Sequence, residues 1–450
     1  MLVGRIALSV RVALALVVAA ALTACVATSG SGSPAALPIL PQSQPDRISG
    51  NYIKHVVIMI QENRSFDNLF AQFPGADGAT SGLTHTGQSV PLQEANLFAP
   101  VDGANAHWAF AREYDRGNMD GFDEVAVSGE PSTFLYQYVN PAQIQPYWKL
   151  AQQYALADHM FQTQGSGSFD GHQDLIRGNT EVTPAEALID SPSGEPWGCD
   201  APSGTVTPIL MSTGQETTNG PFPCFTYDTL RDLLDAKHVS WRYYLPGESI
   251  DVGGLWNAFD AIQAVRYGPE WSTNFSTPET NIFTDIANHK LRSVSWLIPD
   301  FANSDHPEAG SDTGPSWVAQ VVNAIGRSHY WSSTAIIVVW DDWGGWYDHV
   351  APPQLDFEGL GFRVPMLAIS PYTPKGTISH AQYEFGSIVR FVEDNWKLGR
   401  LQNSTDRRAR SIDNLFNFRQ APRKFRPVAA KYSRSFFLHQ RPSNHPVDTN

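Results

Sequence analysis

HVVIMIQENRSFD (His55–Asp67) begins as an unbroken apolar run and stops abruptly at a carboxylate and an amide, Glu62 and Asn63. TAIIVVWDDWGGWYDHV (Thr334–Val350) has the same form: seven residues of strand character, then Asp341 and Asp342. Continuous apolar runs without alternation mark strands buried on both faces, as in a mainly parallel sheet. Only 17% of the chain is charged, so paired carboxylates at a greasy strand end stand out. Adjacent like charges in such a place repel unless a cation or hydrogen-bond donors offset them.

Outward from these two stretches, further strands alternate with helices. SWRYYL (Ser240–Leu245), LRSVSWLIP (Leu291–Pro299) and FRVPMLAIS (Phe362–Ser370) read as strands. Helical spacing is expected over Ile144–Met160, Thr226–His238, Gly314–Ser328 and Glu384–Leu398. Such alternation predicts an α/β fold with a central, mainly parallel sheet covered on both faces. Residues 183–225, rich in Gly, Pro, Ser and Thr, read as a surface insertion and a candidate lid. Beyond residue 400 the pattern decays into a polar, Arg-rich tail, 401–450, whose structure the sequence does not assign.

The amino terminus reads differently. Residues 1–25 carry Arg5 and Arg11, then an apolar run from Val12 to Leu22, then LTAC ending at Cys25. The run is short for a membrane span and reads as a signal peptide. LTAC resembles the lipobox of bacterial lipoproteins, in which the Cys becomes the lipid-bearing first residue; an ordinary secretory signal with a chance Cys is the alternative. Residues 26–50 form a Ser/Gly/Pro/Ala-rich stretch without period, expected to be a flexible tether. The expectation is an exported chain, lipid-anchored to a bacterial membrane, with its catalytic domain periplasmic or extracellular. Cys199 and Cys224 are then expected to pair in an oxidising compartment, the alternative being two buried thiols. The net charge is −14, and cleavage before Cys25 removes two arginines and no acid. So acidic a surface disfavours nucleic acid as a partner.

In open α/β sheets ligands bind beyond the carboxyl ends of the strands. If the strands of the two opening stretches run parallel, Glu62, Asn63, Asp341 and Asp342 share one edge. Their oxygens suit a divalent cation. Taken alone, Glu62 and Asn63 would read equally well as a strand-end turn with a helix cap. GSGSFDGHQDLIRG (Gly165–Gly178) leads a Gly/Ser loop into a helical pattern, which puts a serine where backbone N–H groups favour an anion. His107, His306 and His349 lie beside acidic or strand-end loops. Histidine there can bind phosphate or protonate a leaving oxygen, although a lone histidine is more often structural.

IQENRSFDNLF, MFQTQGSGSFDGHQDLIRG, NSDHPEAG, GPSWVAQVVNAIGRSHYW and TAIIVVWDDWGGWYDHVAPP, in that order, resemble the bacterial phosphoesterase family of phospholipases C and related acid phosphatases. The resemblance runs from about residue 51 to 400. It implies an alkaline-phosphatase-like three-layer α/β sandwich with loop insertions, one active-site metal and a serine or threonine nucleophile forming a phospho-enzyme. On that pattern Glu62, Asn63, Asp341 and Asp342 match the metal ligands, and Ser168 matches the nucleophile that also contacts the metal. His306 and His349 match the histidines that hold phosphate or transfer protons, and His107 matches a third. The family's Gly-Pro before the nucleophile is Gly165-Ser166-Gly167 here, which leaves Ser166 as an alternative to Ser168. The metal, Ca, Mg, Mn or Zn, is left open. The implied activity is metal-dependent hydrolysis of a phosphoric ester, phospholipase C-like, with a broad-specificity acid phosphatase as alternative. A lipid-anchored substrate-binding lipoprotein is the non-enzymatic alternative.

Overall fold

A computed structural model describes residues 52–247 and 254–443. The signal peptide of residues 1–25, the lipobox Cys25 and the tether of residues 26–50 therefore lie outside the described residues. Eight strands form the central sheet. In chain order they are β1 (His55–Gln61), β2 (Ala155–Ala157), β3 (Trp241–Tyr244), β4 (Phe275–Ser276), β5 (Val294–Leu297), β6 (Thr334–Trp340), β7 (Met366–Ile369) and β8 (Thr377–Ser379). Across the sheet the order is β4-β3-β5-β1-β6-β7-β2-β8. Every pairing is parallel except those of β7, which runs antiparallel to both β6 and β2. The α/β class with a mainly parallel sheet is thus the observed one.

β1 and β6 lie side by side, with His55 opposite Thr334 and Gln61 opposite Trp340. Both strands are buried on both faces apart from His55, which is why neither shows alternation. Because the register is even and parallel, the two strands end together. Four helices pack around that end: α1 (Phe66–Phe70), α2 (His107–Tyr114), α3 (Gln145–Gln153) and α4 (Ser168–Arg177). The helices expected near residues 230, 314 and 385 are also present, as Leu230–Ala236, Gly314–Gly326 and Phe385–Trp396.

One expected helix is corrected. The helical spacing of Ile144–Met160 ends at Gln153, Tyr154 leaves helical geometry with φ −131° and ψ −142°, and Ala155–Ala157 becomes β2 between β7 and β8. Sheet pairing overrides the local helix preference of Ala-Leu-Ala there. The insertion carries its own four-stranded antiparallel sheet, built from Glu181–Thr183, Glu186–Leu188, Ile209–Met211 and Glu216–Thr217. Cys199 and Cys224 form a disulfide across 25 positions of sequence.

The Arg-rich segment after residue 400 packs on the domain. Ile412, Leu415, Val428 and Phe437 are buried. Asn323 exchanges two hydrogen bonds with the Val428 backbone, at 2.8 and 2.9 Å, and the Arg423 guanidinium donates to the carbonyls of Gln153 and Thr373.

Candidate metal-binding catalytic site

The shared end of β1 and β6 builds the site. The Asp341 amide donates to the Gln61 carbonyl and the Arg64 amide to the Asp342 carbonyl, so the two segments stay paired beyond the strand ends. Asn63 turns there with a φ of 56°, a left-handed conformation that non-glycine residues adopt at some cost, most often Asn. Gly344 and Gly345, at φ 60° and 71°, turn the chain after Asp342; a Cβ on Gly344 would sit 2.4 Å from the Asn63 carbonyl oxygen.

Helix α4 docks onto that edge. Ser168 is its first residue and Gly167 its cap. The Ser168 hydroxyl donates to Asp342 Oδ2 at 3.1 Å and lies 3.4 Å from Asn63 Oδ1. One turn later His172 Nε2 lies 3.2 Å from Glu62 Oε1 and 3.7 Å from Asp341 Oδ2. Glu62, His172 and Asp341 each offer a ligand atom within 4.8 Å of the others, all three fully buried. Asp342 is held by the Gly344 amide at 2.6 Å and the Asn105 side-chain amide at 2.9 Å. The Asp341 Oδ1 atom takes the Asn63 and Asp342 amides, while its Oδ2 has no hydrogen-bond donor.

The electrostatics of this cluster suit a cation. Burial, then the charge of Asp341, pushes the Glu62 carboxyl well above its ordinary range. Burial and Asp341 do the same to Asp342. Burial lowers His172 to about 4, so its imidazole is neutral, the form that ligates metals. Three buried carboxylates facing one another are unfavourable as they stand and are stabilised by a divalent ion. The donor set of carboxylates, an amide oxygen and one imidazole fits such an ion, and the imidazole nitrogen suits Mn or Zn as well as the harder ions.

The sequence-predicted histidines fall in three places. His306 Nε2 lies 3.9 Å from Asp102 Oδ2, and Asp102 accepts a hydrogen bond from the Asn63 side chain at 3.2 Å. His306 is thereby one residue removed from the cluster, walled by the rings of Phe301 and Trp256. The preceding Asp305 is fixed by Tyr147, Gln61 and Arg64. His107, at the start of α2, has Nδ1 2.7 Å from the Gly165 carbonyl and Nε2 3.6 Å from Glu216 of the insertion sheet. His349 lies elsewhere: its Nδ1 is 2.6 Å from Asp67, within an ion network of Asp67, Asp348 and Arg363. Among the described residues no hydrogen bond joins it to Ser168, Asn63 or the carboxylates of Glu62, Asp341 and Asp342. Asp67 orients His349.

The Ser166 hydroxyl turns away, donating to Asp170 at 2.7 Å and lying 3.2 Å from Asp190. Glu62, Asn63, Ser168, Asp341 and Asp342 thus come together at one end of the sheet. His172, Asn105 and Asp102 join them unforeseen. The Ser-x-x-x-His spacing of residues 168 and 172 puts both on one helix face and was the available signal for His172. Nothing local marks Asn105 and Asp102, which the loop before α2 brings in. Trp340, Trp343, Trp346 and Tyr347 are all buried and belong to the core.

The fold and this cluster define an α/β protein with buried carboxylates and an imidazole, a set that could hold a cation, at the carboxyl edge of its sheet and a serine at a facing helix start. The chain belongs to the Phosphoesterase family, whose model matches residues 53–399. It is 25% identical over 414 residues to the non-hemolytic phospholipase C of Pseudomonas aeruginosa, covering 81% of this chain and 57% of that protein. It is 24% identical to phospholipase C B of Mycobacterium tuberculosis, over 83% of this chain and 80% of that one, and 22% identical to non-specific phospholipase C1 of Arabidopsis thaliana, over 85% and 74%. The chain therefore spans little more than half the length of the Pseudomonas relative. A crystal structure of an alkaline phosphatase superfamily protein from Vibrio parahaemolyticus aligns with 79% of this chain and 71% of its own, at 11% identity and a TM-score of 0.35.

Proposed function

We propose that the chain is a metal-dependent phosphoric ester hydrolase of phospholipase C type, with Ser168 as nucleophile. The observation that carries the reading is the Ser168 hydroxyl at a helix start, hydrogen-bonded to Asp342 beside the Glu62–His172–Asp341 cluster. Glu62, Asn63, Asp341, Asp342 and His172 would hold the cation. A divalent ion there supplies Lewis-acid stabilisation of phosphoryl oxygens and favours the ionised serine. Ser168 Oγ attacks phosphorus, forming the Oγ–P bond as the bond to the leaving alcohol breaks. His306, with His107 as the second choice, gives the departing oxygen its proton. Water then cleaves the phosphoserine and returns the hydroxyl. His349, tied to Asp67, takes no step in this scheme.

Relatives named phospholipase C support the diester reading over the broad acid phosphatase. So does the exposed Trp108, next to His107, as an apolar contact for a lipid surface. Turnover of phosphatidylcholine, p-nitrophenylphosphocholine and p-nitrophenyl phosphate, with and without chelator, tests it. Ser168→Ala is expected to lower turnover by about 10⁴-fold or more with the fold intact. Full activity in that variant, or after complete metal removal, would reject the mechanism. Hydrolysis of the monoester alone would make the chain a phosphatase, and binding without turnover a lipoprotein of binding type. We propose further that the chain is exported and anchored through lipidated Cys25, which the LTAC segment supports. Cys25→Ser should then shift it from the membrane fraction to the soluble one; an unchanged distribution rejects the anchor.

A further inference from the structure

A second acidic cluster lies where three distant parts of the chain meet. Glu181 starts the insertion sheet, and Asp356 and Glu358 sit in the loop before β7. Each offers a carboxylate oxygen within 4.8 Å of the other two. Glu181 and Asp356 line a cleft of about 220 Å³ together with Asn179, Ser404 and Arg408, so the C-terminal segment forms its far wall; Glu358 lies buried beneath them.

Glu358 sets this cluster apart from an ordinary acidic surface. Its side chain is 2% exposed, and neither of its oxygens has a hydrogen-bond partner, although one of them lies within reach of Glu181 and Asp356. A buried carboxylate without donors is costly. Asp174, on α4, is a second buried acid nearby: it is 1% exposed, both of its oxygens lack partners, and burial first, then the charge of Glu358, raises its pKa. The positive groups offset this only in part. Arg408 pairs with Asp356 but gives two of its donors to Glu384, at 3.1 and 2.9 Å. Arg177 spends its Nη1 on Asn179, at 3.0 and 2.6 Å. One divalent cation would balance the surplus.

We propose that Glu181, Asp356 and Glu358 form a binding site for a hard divalent cation, calcium by its all-oxygen donors, separate from the catalytic cluster. Three carboxylates drawn from loop and strand-start positions suit the large, tolerant coordination sphere of calcium better than the strict octahedron of magnesium. The neutral oxygens of Asn179 and Ser404 border the same cleft. Binding there would fasten the insertion, the loop before β7 and the C-terminal segment to one another. The catalytic cluster differs in carrying His172, so the two sites favour different ions.

The test is calcium titration calorimetry on the chelator-stripped full chain carrying Glu62→Gln and Asp341→Asn, which silences the catalytic cluster. One calcium per chain is expected, with a rise in melting temperature on saturation. Adding Glu358→Gln should weaken that binding at least tenfold and remove the thermal shift. No calcium binding before Glu358→Gln is added, or unchanged binding after it, overturns the proposal. Should Glu358→Gln fail to fold, the half-buried Glu181→Gln takes its place under the same criteria.

Discussion

His349 reads from the sequence as a catalytic histidine, and its contacts describe a different role. Burial alone would lower its pKa. The hydrogen bond to Asp67 and the charges of Asp67 and Asp348 outweigh burial and raise it. A histidine whose folded pKa is raised stabilises the fold fully below its ordinary pKa near 6.5, and that contribution is lost as pH rises through the folded value. The wild type should therefore exceed His349→Gln in stability by about 1 kcal/mol at pH 6, with the gap closing toward pH 9. Urea unfolding across that range checks it, and a gap independent of pH would refute it. At this scale the legible residues were those fastened to strand ends. Glu62, Asn63, Asp341 and Asp342 follow apolar runs directly, so their place in the fold could be read from their neighbours. His172, Asn105 and Asp102 depend on a helix and a loop arriving from elsewhere, and short polar stretches carry no mark of destination.

At the scale of elements, β1 and β6 match their expected bounds residue for residue. Runs of five and six apolar residues, rich in Val and Ile and closed by charges, read as buried strands. β2, β4 and β8 were not foreseen, because two or three residues are too few to show a period. What turns these strands into a site is the docking of α4, and Gly171 sets its depth. A Cβ at Gly171 would lie 2.6 Å from the Asp341 carbonyl oxygen, a backbone atom in a paired strand end that cannot step aside. Gly171→Ala should push α4 away from β6. The expected stability loss is about 1–3 kcal/mol, the usual cost of overpacking. Activity should fall further than stability, by about 10²-fold at saturating metal, since Ser168 and His172 move with the helix. Melting temperature and turnover measured on the same samples check this. Wild-type turnover in a destabilised Gly171→Ala protein would mean that the helix position does not set the geometry.

At the scale of the whole molecule, pieces that looked peripheral in the sequence border the catalytic edge or brace the domain. The insertion sheet brings Glu216 to His107, and Asp190, just beyond its Glu186–Leu188 strand, accepts from the His107 amide at 2.6 Å. The segment after residue 400 covers the core with Ile412, Leu415 and Phe437; its arginines hid this, because Arg407, Arg408 and Arg423 bond backbone carbonyls and carboxylates of the domain. Ser168 is 5% exposed, so on the phospholipase C reading proposed above a phospholipid would have to present its head group to a recessed site while its acyl chains stay in the membrane. Trp108, the residue after His107, is 54% exposed, and on that same reading its indole would enter the lipid interface. Trp108→Ala should lower turnover on phosphatidylcholine vesicles by about tenfold, the ratio that about 1.4 kcal/mol of lost aromatic burial sets. Turnover of soluble p-nitrophenylphosphocholine, which has no bilayer to engage, should stay within about twofold of the wild type. Equal losses on both substrates would place Trp108 in head-group binding, and no loss on vesicles would remove it from the membrane-facing surface.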